Sequence, residues 1–518
     1  MLLNLLISLS TLFSGHISDT SYQLIVGSYT KEGNPGIEVF TFDGLTGATR
    51  RAYTLQQPNA SYLTLSADRN YLYAVSEEAD GKGSVQAYQQ NALGVYSRIN
   101  GQPTVGDAPC FITYLASSKT VYTANYSGGS LSVLPTEQGQ LLPGSQHIVY
   151  SGSSVNKARQ QAPHAHNVVL SPDENYLYVA DLGTDRIHQH RINPDGTVDP
   201  KDRAIKVKAG NGPRHLVFDK KGTFAYLINE LSGTVDVFAV AEGQLKWKQS
   251  VIADTTATPV KGSADIHISP SGKWLLTSNR VTSNQVTVFS IQSDGTLRKV
   301  RHVEVARRPR NFSFDPSGKW LLVAGQEENK VQVFSFQDDE GTLTDVHQDI
   351  AVPMPVCLLF APVPGETDPE ERIQTLQIKL IPPTAPIANY VKYNQVGNLI
   401  YLSGHGPDKP GGGQVVGKVG KELTLEEGQQ AARLTGISLL STLKGYIGDL
   451  NKVKRIVKVM GFVNGIPEFT QQPQVMNGFS NLMVEIFGER GKHARTSVGA
   501  SSLPNNIAVE IEMIVELK

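Results

Sequence analysis

The sequence carries only two cysteines, no surplus of either charge, and no long apolar run beyond its first residues. Lys and Arg total 47 against 48 for Asp and Glu, and charged residues make up only 18% of the chain. No field therefore exists to draw in nucleic acid or anionic lipid, so small molecules are the expected partners and neither nucleic acid nor membrane is. Cys110 follows Pro109 in one sequence repeat and Cys357 follows Pro355-Val356 in another that is not its neighbour, which predicts two buried free thiols and no disulfide. Past residue 20 no stretch is long and apolar enough to cross a bilayer. Residues 2–13 (LLNLLISLSTLF) have the length of a signal-peptide apolar region and precede Ser14 and Gly15, but no basic segment comes before them. Residues 1–19 are a candidate signal peptide: periplasmic or secreted if they act as one, cytoplasmic otherwise.

What is present is repetition. A chain of 518 residues has room for two to four units at about 150 residues each. Six segments share an apolar strand, a turn and a second apolar strand, as in NVVLSPDENYLYVADLG and FSFDPSGKWLLVAGQEE. Aligned on Tyr73, Tyr122, Tyr178, Tyr226, Leu276 and Leu322, they recur at intervals of 49, 56, 48, 50 and 46, a propeller period. Third strands come next, such as VDVFAVAEGQL and VTVFSIQSDGTL, with glycine at the tight turn. A seventh unit is divided between the two ends of the region. VCLLFAP (356–362) reads as an innermost strand with nothing suitable after it, while YQLIVGSYT (22–30) and GIEVFTFDGLTG (36–47) lack one before them. Pairing them closes the ring and removes exposed sheet edges. The expectation is an all-β seven-bladed propeller over residues 20–362.

Composition changes after Pro362. APVPGETDPEER is rich in proline and acid, which predicts a linker over 363–370 and a new domain over 371–518. There, NYVKYNQVGNLIYLSG reads as a hairpin, LTLEEGQQAARLTGISLLSTLKGYIG as a helix with a Thr424/Glu427 capping box, and Ala432, Leu439, Leu443 and Ile447 as its apolar stripe. A strand, a second helix and two closing strands complete an α+β order ββαβαββ.

Positions that begin the innermost strands or end the second strands face a propeller's channel. His166, Arg214 and Arg310 share one such position, Asn167, His215, Asp265 and Asn311 the next, and the second strands end in Glu77, Asn125, Asp181, Glu230, Arg280 and Gln326. Imidazole, guanidinium and carboxylate without CxxC or HxxxH spacing point to anion binding with acid–base chemistry; neither a metal nor a cofactor is expected. Singly, an arginine at a blade edge ordinarily pairs with a carboxylate and a histidine satisfies a carbonyl. Convergence of several favours a site.

The runs HAHNVVLSPDENYLYVADLGTDRI, GPRHLVFDKKGTFAYLINELSGTVDVF, ADIHISPSGKWLLTSNR and RPRNFSFDPSGKWLLVAGQ resemble the propeller 6-phosphogluconolactonase family, which includes a fungal carboxymuconate-lactonizing enzyme. The resemblance implies an active-site set at His166, Arg214, Glu230 and Arg280; His164, His215, Asp265 and Arg310, from the same runs, are expected near the substrate. On that reading His166 is the general base, Arg214 and Arg280 hold an anion and stabilise an oxyanion, and Glu230 orients an arginine or the water.

The C-terminal runs ANYVKYNQVGNLIYLSGHGP, VKRIVKVMGFVNG and HARTSVGASSLPNNIAVEIEMIVEL resemble the Rid (YjgF) family of enamine/imine deaminases, of chorismate mutase-like fold. The resemblance implies a carboxylate clamp at Arg495, a water-directing Glu510, Tyr390, Ser403 and His405 lining the pocket, and a homotrimer through this domain. SGHGP departs from the usual SGQ at His405. Three readings stay open: a sugar-lactone hydrolase with a Rid module; a ligand-binding propeller beside an imine deaminase or trimerisation domain; and a scaffold throughout.

Overall fold

The computed structural model describes residues 21–518 apart from 32, 92–93, 202, 259–260, 282, 364–367 and 383–388. The leader expected at 1–19 lies outside the described residues. The chain forms two compact units, one spanning Thr20–Ala361 and one containing Pro362–Lys518.

The first unit is a ring of seven antiparallel sheets, each of four or five strands. Its closing sheet pairs Pro355–Pro362 with Ser21–Ser28, followed outward by Gly36–Asp43 and Thr49–Gln56, so the split blade is as the sequence predicts. Blades adhere because both faces of each sheet are apolar: Tyr73 and Val75 of the first blade, for example, pack with Ile112 and Val121 of the second. The tyrosines that mark the repeat also bond across blades. The hydroxyls of Tyr73, Tyr122 and Tyr226 donate to the carbonyls of Gly139, Gly196 and Gly295, in a turn of the next blade, at 3.2, 2.7 and 3.0 Å. Where the repeat has leucine instead, the indoles of Trp274 and Trp320 do this work, donating to Asp338 and Gly44 carbonyls at 2.7 and 2.9 Å.

Every blade enters its inner strand the same way. The first residue past each second strand donates its backbone N–H to a carbonyl ahead of the inner strand, in six blades that of the residue just before it, as Tyr126 does to Ala108, Glu230 to Gly212 and Arg280 to Gly262. Several of these acceptors, including Asn59, Ala108, Gly212, Arg308 and Met354, have positive φ. Two residues after the acceptor, in five blades, the inner strand carries an extra unpaired residue. A bulge bends its strand and re-aims the side chain it carries.

The second unit is a five-stranded sheet in the spatial order Tyr393–Val396, Leu399–His405, Val509–Leu517, Val453–Asn464, Ala494–Ala500, with only the last pair parallel. Helices α1 (Pro369–Thr375), α2 (Leu425–Ile447) and α3 (Gln472–Phe487) accompany it. The capping box at Thr424 and Glu427 is formed, and Ala432, Leu439, Leu443 and Ile447 are buried. Helices α2 and α3 cross so closely that a Cβ on Gly478 would stand 2.0 Å from the Gln429 carbonyl. The linker expectation needs correction at its end. Asp368 caps α1 by accepting from the backbone of Glu370 and Glu371, and Ile373 enters this unit's core, so residues 368–370 are folded. The acidic residues read as solvated are there to cap a helix and to hold Lys444 and the Leu450 N–H through Glu370.

Candidate active site

The seven-fold backbone pattern stacks side chains in layers at the channel mouth. The outermost comprises Tyr29, Glu77, Tyr126, Leu182, Glu230, Arg280 and Gln326, the residues just past the second strands. The bulge layer beneath contains Cys110, His166, Arg214 and Arg310. Asn167, His215, Asp265 and Asn311 occupy the next. Asn125 and Asp181, expected at the mouth, lie one residue short of it and are fully buried. They tie the end of the second strand to the chain beyond it: Asn125 donates to Ser130 and Ser132, and Asp181 accepts from Thr184. The tyrosine register gives Tyr126 and Leu182 as the true members of the mouth.

A cavity of about 310 Å³ opens there, walled by Glu77, Cys110, Tyr126, Arg159, His166, Glu230, Arg280, Val281, Arg308 and Arg310. Four arginines face two carboxylates, so the walls hold a positive surplus. Glu230 is the hub: its Oε2 accepts from Arg214 Nε at 2.9 Å and Arg280 Nη2 at 3.1 Å, and its Oε1 from Arg159 Nη2 at 2.8 Å. Burial alone would raise its carboxyl, but Arg280, Arg214 and Arg159 overcome it and hold it at about 2. Burial pulls the Arg280 guanidinium below its ordinary range, against the pull of Glu230, and its Nε is buried with no hydrogen-bond partner among the described residues.

His166 stands between this cavity and a water-sized chamber below, since it lines both. The Cys110 thiol can donate to the His166 carbonyl at 3.4 Å, and its sulfur lies 3.8 Å from Nδ1. That arrangement suits a proton on Nδ1 and leaves Nε2 with its lone pair. Burial, then the charges of Arg214, His215 and Arg310, press the imidazole well below its usual range, so it is neutral at pH 7. Arg310 is less committed. It lies over the Tyr29 ring at 5.2 Å and 3.7 Å from Glu77, whose carboxylate already accepts from Tyr29 at 2.9 Å.

His164 and Asp265, expected near the substrate, line neither cavity. His164 stacks on Tyr126 at 4.5 Å and holds its carbonyl at 3.0 Å. Asp265 is consumed by donors: His215, His267, Asn311 and the Phe312 N–H. His215 lines only the chamber below. Arg159, Tyr29 and Tyr126 escaped the sequence reading, and the repeat register contains the last two.

In the second unit the expected residues do not converge within one chain. Val459 is buried in the core and Arg495 pairs opposite it in parallel register, so Arg495 shares the helix-facing side. Its guanidinium donates to Asn477, Ser480 and the Pro473 carbonyl of α3. Glu510 pairs with Phe462, on the other face. Burial raises the Glu510 carboxyl, with Glu512 adding to it. A pocket of about 420 Å³ on that open face includes Tyr393, Tyr401, Ser403, Lys458, Met460 and Glu512. Tyr390, Glu510 and Arg495 are not on its wall. His405 is a correction: a register break after Leu402 turns it to the helix side, where it bonds the Ser403 carbonyl at 2.7 Å and Thr442 at 2.9 Å. Burial lowers it to about 4, as befits a neutral core histidine.

A neutral imidazole and a carboxylate held by three arginines thus meet at one cavity at the mouth of a seven-bladed propeller. The chain belongs to the family described as lactonase, 7-bladed beta-propeller, whose model matches residues 23–360; the propeller is a lactonase, a carboxylic-ester hydrolase. A second family model, YjgF/chorismate mutase-like, matches residues 370–517. The chain is 36% identical over 340 residues to the 6-phosphogluconolactonase of Formosa agariphila, covering 64% of this chain and 96% of that protein. It resembles the solved periplasmic gluconolactonase PpgL of Pseudomonas aeruginosa at 33% identity and a TM-score of 0.63, over 66% of this chain and 100% of the other. Its C-terminal part is 44% identical over 146 residues to Protein TCP17 of Trypanosoma cruzi, which is 28% of this chain and 91% of that protein.

Proposed function

We propose that the propeller opens a sugar δ-lactone at the cavity around Glu230, with His166 as general base. The observation that carries this reading is a neutral imidazole and a carboxylate lining one cavity, the carboxylate held by Arg159 and Arg280 on the wall and by Arg214 behind it. His166 Nε2 takes a proton from water as the water oxygen attacks the lactone carbonyl carbon. Arg280, on the cavity wall, stabilises the oxyanion that forms. Collapse breaks the bond between the carbonyl carbon and the ring oxygen, which takes the proton back from His166 and leaves an aldonic acid. Glu230 orients Arg280 and Arg214 and does not itself react, because its carboxylate is fully engaged. The arginine surplus, and the 6-phosphogluconolactonases among the relatives, support a phosphorylated substrate; the gluconolactonase PpgL supports a neutral one. Hydrolysis of δ-gluconolactone and of its 6-phosphate by the purified protein tests the reading, and no turnover of either would overturn it.

For the C-terminal domain we infer a site completed between copies of the chain. Arg495 and Glu510 lie on opposite faces of one sheet, so a clamp and a water-directing carboxylate meet only if a second copy supplies one of them. An imine deaminase working as a homotrimer fits that requirement. Turnover of enzymatically generated 2-aminoacrylate, lost in Arg495→Lys, is the expected result; turnover retained in that variant would remove Arg495 from the reaction.

A further inference from the structure

The layer below the bulges has a regular duty in most blades that carry a polar group there: its side chain accepts a backbone N–H from the next blade. Asn167 takes Leu216 at 3.1 Å, Asp265 takes Phe312 at 3.2 Å and Asn311 takes Leu358 at 2.7 Å. His215 breaks the series. Its Nδ1 turns to Asp265 Oδ1 at 2.8 Å and its Nε2 faces Arg214 Nη1 at 3.3 Å. In the blade that carries Arg214 in its bulge, this position bonds the next blade through the Asp265 carboxylate in place of a backbone N–H, and contacts that arginine as well.

We infer that Asp265 and His215 are positioning residues that fix the Arg214 guanidinium, and through it Glu230, in the geometry lactone opening requires. This rests on the reading of the cavity as lactone-hydrolysing. Asp265 carries only acceptors and receives His267 Nε2 at 2.9 Å and Asn311 Nδ2 at 2.5 Å besides His215. Facing an ionised carboxylate, His215 keeps its proton on Nδ1. Burial, then Arg214, lowers the imidazole to about 4, so it is neutral and Nε2 offers a lone pair. Arg214 Nη1 donates to that lone pair and to the Ala264 carbonyl, while Nε donates to Glu230 Oε2. The guanidinium plane is held at both ends, and it transmits a side-chain tautomer into the position of the Glu230 carboxylate.

The test compares substitutions that keep or reverse that polarity. In Asp265→Asn the amide can donate to Nδ1, which moves the imidazole proton to Nε2 and sets two donors against each other at Arg214. In His215→Gln the amide donates to Asp265 and its oxygen still accepts from Arg214; in His215→Leu no acceptor remains. Expected are a fall in kcat of about 10-fold or more in Asp265→Asn and His215→Leu, with a smaller change in KM, and recovery in His215→Gln of most of the rate lost in His215→Leu. The double variant Asp265→Asn/His215→Gln, whose amides can reorient together, should exceed Asp265→Asn alone. Nitrogen-15 chemical shifts should show His215 protonated at Nδ1 in the unsubstituted protein, a readout independent of turnover. If Asp265→Asn does not fold, the leucine–glutamine comparison at 215 decides. Equal rates in His215→Leu and the unsubstituted protein, equal losses in His215→Leu and His215→Gln, or an Nε2-protonated His215 would overturn the inference. Absence of lactone turnover in the unsubstituted protein would instead overturn the functional reading, leaving the tautomer measurement to stand on its own.

Discussion

At the scale of single residues, the proposed mechanism assigns His166 and Arg280 to the reacting carbonyl and Glu230 to holding the arginines. Arg310, with a long contact to Glu77 and a ring beneath it, keeps guanidinium donors available for an anion on the substrate. Loss of one charge-assisted interaction costs about 1.5–3 kcal/mol, so Arg310→Gln should lower kcat/KM for the 6-phosphate about 10- to 100-fold relative to the neutral lactone. A uniform loss on both substrates would place Arg310 in the chemistry instead. The pH dependence is set by His166. Only the neutral imidazole accepts a proton, and burial with neighbouring cations lowers its affinity for protons, so the acid limb of kcat/KM should fall below the ordinary value of 6.5. An acid limb at or above 6.5 would mean that His166 is not the titrating base. His166, Arg214, Glu230 and Arg280 were legible because they sit at positions the repeat brings together. Arg159 was not: it comes from the loop before the third blade, outside the repeat, and nothing local announces that it reaches Glu230.

At the scale of elements, the blades were legible because strand alternation and a near-constant interval are both long signals. Single-residue geometry was less so. Bulges in five inner strands decide which side chains enter the channel, and no residue type marks them. A similar break after Leu402 sends His405 into the core where strand alternation from Ser403 would not foretell it. The acidic stretch before the second domain misled because capping residues and linker residues share a composition. Helix α1 supplies a test. A C-terminal fragment beginning at 371 lacks the Asp368 cap and both bonds made by Glu370. It should be less stable than one beginning at 368 by about 1–2 kcal/mol in denaturant unfolding. Equal midpoints would mean that α1 contributes nothing to this fold.

At the scale of the whole molecule, the chain divides into two units, each with a core of its own. Fragments 20–364 and 368–518 should each fold alone, and light scattering should find the propeller monomeric and the C-terminal fragment oligomeric. A monomeric C-terminal fragment would remove the case for a site shared between copies. Catalysis by the propeller is tested by kcat/KM for lactone hydrolysis by the full chain and by His166→Ala and Arg280→Ala, with folding checked by thermal unfolding. A fall of about 10²-fold or more is expected in each variant, because the substituted group acts on charge that develops only in the transition state. Rates equal to the unsubstituted protein in both folded variants would contradict it.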